Sequence, residues 1–249
     1  GGFPMGYSIV ANNVGILRGA GGIHGNEPIT QGKLAVILKN TLTVSMLEFD
    51  SVTDGDIGYT NTSGKTLLKD KLNIYLLEGQ IKANKFTQLS GISNLDDDQI
   101  KIDDKVFYTD IDLTYELGKN YLFYIKDDTE GKEAVLSYED KYDKNKVEVF
   151  SGEDIVSLTN SSISYKTDDI KGTMSFTADT DMIYNGRAKL SWSSADILTD
   201  LSGNGIKNVE IRLLDNDDNG SCDVVFVNYY TNMTVDRVNT LDSIINFKN

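Results

Sequence analysis

Apolar residues recur at helical spacing in two short stretches near the start of the chain. In the first stretch Ile9, Val10, Val14 and Leu17 fall on one side of a helix. Gly15 lies where that helix would end, because a glycine readily adopts the left-handed conformation that closes a helix. The pattern therefore predicts a first helix that ends close to Gly15.

A second helix is predicted after a Gly-rich loop. Thr30 is a suitable N-cap, since a threonine hydroxyl can accept a hydrogen bond from a backbone amide of the first turn. Apolar residues at helical spacing then run from Leu34 to Leu42. We expect residues 1–46 to be mostly helical.

Polar and small residues replace this pattern over residues 47–64. The stretch contains Asp54-Gly55 and Asn61-Thr62-Ser63-Gly64, residues typical of turns. We interpret it as a linker or loop, followed by a brief helix over residues 65–72.

From about residue 73 the pattern changes to short strands separated by turn residues. Residues 99–102 and 105–108 flank an Asp-Asp pair, which predicts a tight hairpin. Residues 121–125 and 133–138 flank an acidic turn and predict a second hairpin. Short strands at this close spacing indicate a small barrel or a sandwich.

A further group of strands begins near Gly152. The strongest strand predictions in the chain are residues 209–214 and 224–230. The predicted fold class is α+β: a short N-terminal helical segment followed by two mainly antiparallel β domains, each a barrel or a sandwich. The predicted domains are residues 1–50, 51–150 and 151–249.

The chain is strongly acidic, with a net charge of -14 from 24 basic and 38 acidic residues. This charge repels the phosphate backbone, so nucleic acid is not an expected partner. Divalent cations are the natural counter-ions for so many carboxylates. No run of about 18 apolar residues occurs, and we predict no transmembrane segment.

One acidic segment has the spacing of a calcium-binding loop. Oxygen-bearing side chains occupy positions 1, 3, 5 and 9, a glycine occupies position 6, and the carbonyl of position 7 is available. The bidentate glutamate of an EF-hand is missing, because position 12 is Phe226, and the flanking segments are predicted strands. The candidate Ca²⁺ ligands, at a hairpin tip, are Asp215, Asp217, Asn219, Ser221 and Asp223.

A second interpretation of this segment needs no metal. Asp and Asn side chains accept hydrogen bonds from nearby backbone amides, so they are common in turns that carry no ion. The sequence alone is equally compatible with a Ca²⁺ site and with an acidic, solvated turn.

Catalytic chemistry is hard to place in this sequence. His24 is the only histidine and Cys222 the only cysteine, and neither lies in a recognisable nucleophile motif. Acidic pairs are too frequent to single out one pair as a glycosidase site. Trp192 could be a sugar-binding platform, but packing in a core is the better interpretation of an alternating strand. We predict that the protein is not an enzyme.

Residues 2–19 and 29–40 carry a family resemblance. The turn from Gly15 to Gly19 and the Ile-Thr-Gln-Gly-Lys segment that begins at Ile29 resemble a surface-layer homology (SLH) repeat. In that family, which is also called the SLH domain, the repeats bind secondary cell-wall polysaccharide. Thr30 and Gln31 match the positions that contact the wall glycan.

This copy departs from the family pattern at two positions. Gln31 stands where the family has an arginine, and Lys33 stands where it has a glutamate. Gln31 cannot offer a guanidinium fork to an anionic sugar, and Lys33 cannot complete a reciprocal capping box with Thr30. The resemblance therefore implies weak wall binding by this copy and a larger share for copies upstream in a longer protein.

The β region is similar, more loosely, to regions that follow such repeats in large clostridial surface proteins, especially over residues 209–230. Together these resemblances imply a secreted, extracellular structural protein of the cell wall or cell surface. We expect an S-layer or related self-assembly into homo-oligomers, without catalysis. The alternative is a carbohydrate-binding or accessory module of a wall-anchored, secreted glycan-active enzyme.

Overall fold

The structure is a computed structural model of the chain. It describes residues 4–23, 27–53, 56–128, 131–198, 208–230, 233–240 and 243–248.

Strands dominate the architecture. They account for 48% of the described residues and helices for 18%, so the fold is mainly β with a small helical part. The helices are α1 (Met5–Asn13), α2 (Gln31–Thr43), α3 (Leu67–Leu72) and α4 (Ser194–Leu198). The strands are β1 (Ser45–Thr53), β2 (Asp56–Thr66), β3 (Ile74–Ala83), β4 (Gln99–Ile102), β5 (Lys105–Tyr108), β6 (Asn120–Asp127), β7 (Glu133–Glu139), β8 (Lys146–Ser151), β9 (Ile155–Thr159), β10 (Ser162–Lys166), β11 (Lys171–Tyr184), β12 (Arg187–Ala188), β13 (Val209–Asp215), β14 (Ser221–Tyr229), β15 (Val235–Asn239) and β16 (Ile244–Phe247).

The strands form four sheets. Five strands close into a barrel in the order β3-β4-β5-β7-β6, and seven form a second sheet in the order β8-β13-β14-β11-β10-β9, with β12 beside β11. The pairs β1-β2 and β15-β16 are separate two-stranded sheets. The described chain divides into two compact units: Gly1–Leu77 with Tyr124–Leu136, and Glu78–Phe123 with Ser137–Asn249.

In the first unit, both predicted N-terminal helices are present. α1 ends at Asn13, and Gly15 follows with a φ of 91°, the left-handed conformation that a glycine adopts without strain. The side chain of Thr30 caps α2 by accepting a hydrogen bond from the Lys33 amide at 3.3 Å. Neither helix has a buried residue. The resemblance to an SLH repeat stays a prediction.

The predicted linker over residues 47–64 is wrong. β1 and β2 form an antiparallel hairpin there, with Leu47 opposite Asn61 and Phe49 opposite Tyr59. The alternation of Leu47 and Phe49 with Glu48 is a strand pattern, and an Asp-Gly pair is a common hairpin turn rather than a linker mark. β1 begins at Ser45, within the predicted helical segment.

In the second unit, the β4-β5 hairpin confirms the prediction for residues 99–108. Ile102 pairs with Lys105 across a two-residue turn, and Asp103 adopts a left-handed φ of 48° there. The Asp103 carboxylate also accepts a hydrogen bond from the Gln80 amide at 3.0 Å. Buried side chains of this region are Ile81, Ile100, Ile102, Phe107 and Phe123.

The seven-stranded sheet contains the strongest predicted strands as interior strands. β13 and β14 pair antiparallel, and β13 also pairs with β8. The pairing of β14 with β11 is parallel, whereas the other pairs of this sheet are antiparallel. The core of this sheet includes Phe150, Ile163, Met182, Ile197, Ile211, Leu213, Val225 and Val227.

The division predicted at residue 150 falls within β8. Because β8 pairs with β13, this sheet begins at Lys146, a few residues before that division. In the described part of residues 160–249 the longest helix is α4, with five residues, as the β prediction for this region requires.

Candidate metal centre

The acidic segment lies at the tip of the β13-β14 hairpin. Leu214 pairs with Val224, so the two strands enter and leave the loop in direct register. Asp215 is the last residue of β13, and Ser221 is the first residue of β14. The predicted hairpin between residues 209–214 and 224–230 is therefore confirmed.

Asp215 organises the loop from inside. Its side chain is only 2% exposed, and its carboxylate accepts hydrogen bonds from three backbone amides of the loop. The donors are Asp217 at 3.3 Å, Asn219 at 3.2 Å and Gly220 at 2.7 Å. Gly220 has a φ of 84° and Asp218 one of 61°, values that turn the backbone sharply and aim these amides inward.

Three carboxylates converge at this tip, and we call Asp215, Asp217 and Asp223 the acidic cluster. One oxygen from each lies within 4.8 Å of the others. The carboxylate of Asp223 also accepts the amide of Asn216 at 2.7 Å. Burial raises the pKa of Asp223, and the negative charges of Asp217 and Asp215 raise it further.

The acidic cluster has the chemistry of a hard-cation site. Like charges this close repel, and a divalent cation between them removes that repulsion. Carboxylate oxygens are the ligands that Ca²⁺ prefers, and its coordination tolerates irregular geometry. A metal would be held by the cluster as a clamp between the end of β13 and the start of β14.

The other two predicted ligands, Asn219 and Ser221, make hydrogen bonds outside the acidic cluster. The side-chain oxygen of Asn219 accepts the Ser221 amide at 2.7 Å, which is an Asx-turn contact within the loop. The Ser221 hydroxyl lies 3.1 Å from the Ser175 hydroxyl on β11. Ligation by Asn219 and by the Ser221 carbonyl stays a prediction.

An asparagine network that sequence reasoning missed anchors the loop. Asn216 is 6% exposed, and its amide nitrogen donates to the Gly118 carbonyl at 2.9 Å. Asn120 donates to the side-chain oxygen of Asn216 at 2.9 Å, and Asn145 donates to the Asn120 carbonyl at 2.8 Å. No local pattern links residues almost 100 positions apart, so this network could not be read from the sequence.

Gly118 permits this anchoring by its size and conformation. Its φ is 87°, and a Cβ atom there would lie 2.8 Å from a methyl group of Leu214. It would also lie 2.9 Å from a methyl group of Val224, so a larger residue at position 118 would force both side chains to shift.

The side chains that could suggest catalysis are engaged in structure. Cys222 is buried, and burial raises the pKa of its thiol to about 12, so it carries no reactive thiolate near neutral pH. The Trp192 indole donates to the Thr180 carbonyl at 2.9 Å and meets Phe176 edge to face, as a core residue does. His24 lies outside the described residues.

The candidate glycan residues of the helical segment lie at the start of α2. Thr30 is its N-cap and Gln31 its first residue, and both are exposed. The Lys33 ammonium donates to the Gly22 carbonyl at 2.9 Å, so it reaches back to the preceding loop. The backbone amide of Lys33 donates to the Thr30 hydroxyl, but the Lys33 side chain cannot accept the Thr30 amide as a glutamate would.

The chain was compared with family models, curated proteins and solved structures. No family model, no curated protein and no solved structure matches the chain. Within the described residues, every helix is too short or too polar to cross a membrane.

Proposed function

We propose that this chain is a non-catalytic structural part of a secreted protein of the bacterial cell surface, in which Ca²⁺ fixes the β13-β14 hairpin. The observation that carries the proposal is the acidic cluster, with three carboxylate oxygens within 4.8 Å of one another. The hairpin lies between β8 and β11 in the seven-stranded sheet, so an ion at its tip would stabilise a strand pair that joins β8 to the rest of that sheet.

The incomplete ligand set sets the expected affinity. Because position 12 of the loop is Phe226 instead of a glutamate, the site lacks the bidentate ligand of an EF-hand. We expect a dissociation constant of about 10⁻⁴–10⁻³ M, the range of extracellular Ca²⁺ modules. Calcium at such concentrations is available outside cells, which agrees with the proposed surface location.

Thermal unfolding with and without Ca²⁺ tests this proposal. A ligand that binds only the folded state stabilises it by about 0.4–1.4 kcal/mol at a one- to tenfold excess over its dissociation constant, the excess that millimolar Ca²⁺ gives here. We expect millimolar Ca²⁺ to raise the unfolding midpoint of the wild type relative to chelator. Asp217→Ala should abolish that shift, because it removes one carboxylate of the acidic cluster.

A matched variant separates ligation from general charge effects. Asp218 is the neighbour of Asp217 and lies outside the acidic cluster, and asparagine tolerates its left-handed φ. Asp218→Asn should therefore keep the Ca²⁺ shift. A wild-type midpoint that Ca²⁺ leaves unmoved, or an equal shift in Asp217→Ala, contradicts the metal site and favours the solvated turn.

We further propose that the helical segment is a wall-directed SLH-like repeat and that copies of the chain associate laterally on the surface. Support comes from the sequence resemblance and from the Thr30 cap of α2. Because Gln31 lacks a guanidinium, we expect weak retention of this chain on purified cell-wall sacculi. Strong retention that is lost in Gln31→Ala would contradict this interpretation of the substitutions.

A further inference from the structure

A cleft of about 280 Å³ opens beside the metal loop, within the second unit. Asn216 and Asp217 of the loop form part of its wall, and Tyr142 and Lys144 form another part. Its volume is slightly below the range of typical small-molecule sites, which run from about 300 to 1,000 Å³. The cleft therefore suits a compact group such as one sugar unit, rather than a peptide or a large cofactor.

Tyr142 gives the cleft an aromatic surface. Its side chain is 53% exposed. The Lys141 and Lys144 ammonium groups lie over the ring, 4.7 and 5.5 Å from its centroid. A pyranose can pack its C–H face against this exposed ring once a lysine side chain moves off that face, and the displaced ammonium can then donate to the sugar hydroxyls.

Hydrogen-bonding groups of both kinds surround the ring. Glu78, Asp140 and Asp217 offer carboxylate acceptors, and the two lysines offer ammonium donors. A sugar carries hydroxyl groups that donate and accept, so it can use both kinds at once. A ligand that carries one kind of charge would be repelled by the groups of the same charge that line part of the cleft.

The charge of the chain selects among sugars. The net charge is -14, and three carboxylates face two ammonium groups in the cleft itself. A polyanionic glycan is repelled by both the cleft and the whole protein. A neutral glycan is not repelled.

From these observations we infer that the cleft beside the acidic loop binds a neutral saccharide, with Tyr142 as the stacking surface. The inference rests on the proposed function only for its dependence on Ca²⁺. An ion in the acidic cluster would fix Asp217, and with it one wall of the cleft. We therefore expect binding in chelator and stronger binding in Ca²⁺.

Affinity electrophoresis in native gels tests the inference, because the acidic chain migrates readily. The gels contain one of two neutral polymers, hydroxyethyl cellulose or glycol chitin, or the anionic polymer polygalacturonate. We expect retardation by at least one neutral polymer and none by polygalacturonate. Tyr142→Ala should raise the dissociation constant at least tenfold. Tyr142→Trp should retain binding because it keeps an aromatic surface.

Tyr115→Ala is the matched control. Tyr115 is also an exposed tyrosine of the second unit but lies outside the cleft, and its contact with Arg212 uses only its backbone carbonyl. This variant should bind like the wild type. Three results would overturn the inference: no retardation by either neutral polymer, equal retardation of Tyr142→Ala and wild type, or equal retardation by polygalacturonate.

The two proposals fail separately. Retardation that persists in a protein whose midpoint ignores Ca²⁺ would remove the metal site and leave the saccharide site standing. A normal Ca²⁺ shift in Tyr142→Ala, together with lost retardation, would show that the variant is folded and that only the cleft has been damaged.

Discussion

The β13-β14 and β15-β16 hairpins have the same topology but opposite surroundings. β13 and β14 lie between β8 and β11 in the seven-stranded sheet, where Ile211, Leu213 and Val225 are fully buried. Within the described residues, β15 and β16 pair only with each other. The two hairpins therefore differ both in their neighbouring strands and in what covers each face.

Register shows what the second hairpin leaves uncovered. Val235 lies opposite Phe247, and Val238 lies opposite Ile245. Phe247 and Ile245 are two residues apart and share one face, and the register shift between Val235 and Arg237 keeps Val235 and Val238 opposite them. All four are about half exposed in the structure. A two-stranded sheet of this kind is marginal in water by itself, whereas the buried hairpin gains from packing on both sides.

The largest expected difference between the hairpins is the effect of removing an apolar side chain. Leu213→Ala in β13 should cost about 2–5 kcal/mol, because it leaves a cavity in a packed core. Val238→Ala in β15 should change stability by less than about 0.5 kcal/mol, since the side chain is exposed. Chemical unfolding followed by the fluorescence of Trp192, the sole tryptophan, measures both. Equal costs would break the comparison.

A smaller difference in the free energy of unfolding is expected when an asparagine is replaced by alanine in each hairpin. Asn216→Ala removes the bond to the Gly118 carbonyl and the acceptor for Asn120. Leaving buried polar groups without their partners costs about 1–3 kcal/mol. Asn246→Ala, on the exposed hairpin, should stay within about 0.5 kcal/mol. The same unfolding assay decides, and a neutral Asn216→Ala would mean that the network does not hold the loop.

The smallest expected effect concerns an aspartate beside the buried hairpin. Burial raises the pKa of Asp181, Lys82 opposes the rise, and Asp179 adds to it. A carboxyl whose folded pKa is raised is penalised when it ionises, so its cost to stability is absent below the unfolded pKa and appears as pH rises through the folded pKa. Asp181→Asn should therefore stabilise the protein modestly at neutral pH and not at low pH.

The wild type, measured over the same pH range, provides the control for that titration. Unfolding midpoints of the wild type and of Asp181→Asn across this range show whether ionisation of Asp181 causes the difference. A benefit of Asp181→Asn that persists unchanged at low pH would rule out ionisation as its cause.

Sequence patterns predicted the elements that depend on local chemistry. The cap at Thr30, the glycine after α1, the β4-β5 turn and the β13-β14 hairpin each rest on residues close together in the chain. The β1-β2 hairpin was misjudged because turn residues are shared by linkers and hairpins. Local chemistry does not decide between those two.

In the candidate site, too, local sequence predicted some features and the fold determines others. The carboxylate spacing of the acidic cluster is local, and the sequence singled it out. The Asn216 anchor and the cleft depend on segments that meet only in the fold, from Glu78 through Tyr142 to Asp217. Long-range contacts of this kind follow from topology, which no short pattern encodes.

The strand order of the large sheet has a consequence for how the chain folds. β13 and β14 are among the last strands to be synthesised, yet they lie between β8 and β11, which come much earlier. Until the hairpin arrives, both earlier strands have an edge without its final partner, and such edges invite pairing with other chains. Because the closing contacts are so distant in sequence, we expect slow folding and an aggregation-prone product from any chain that stops before residue 209.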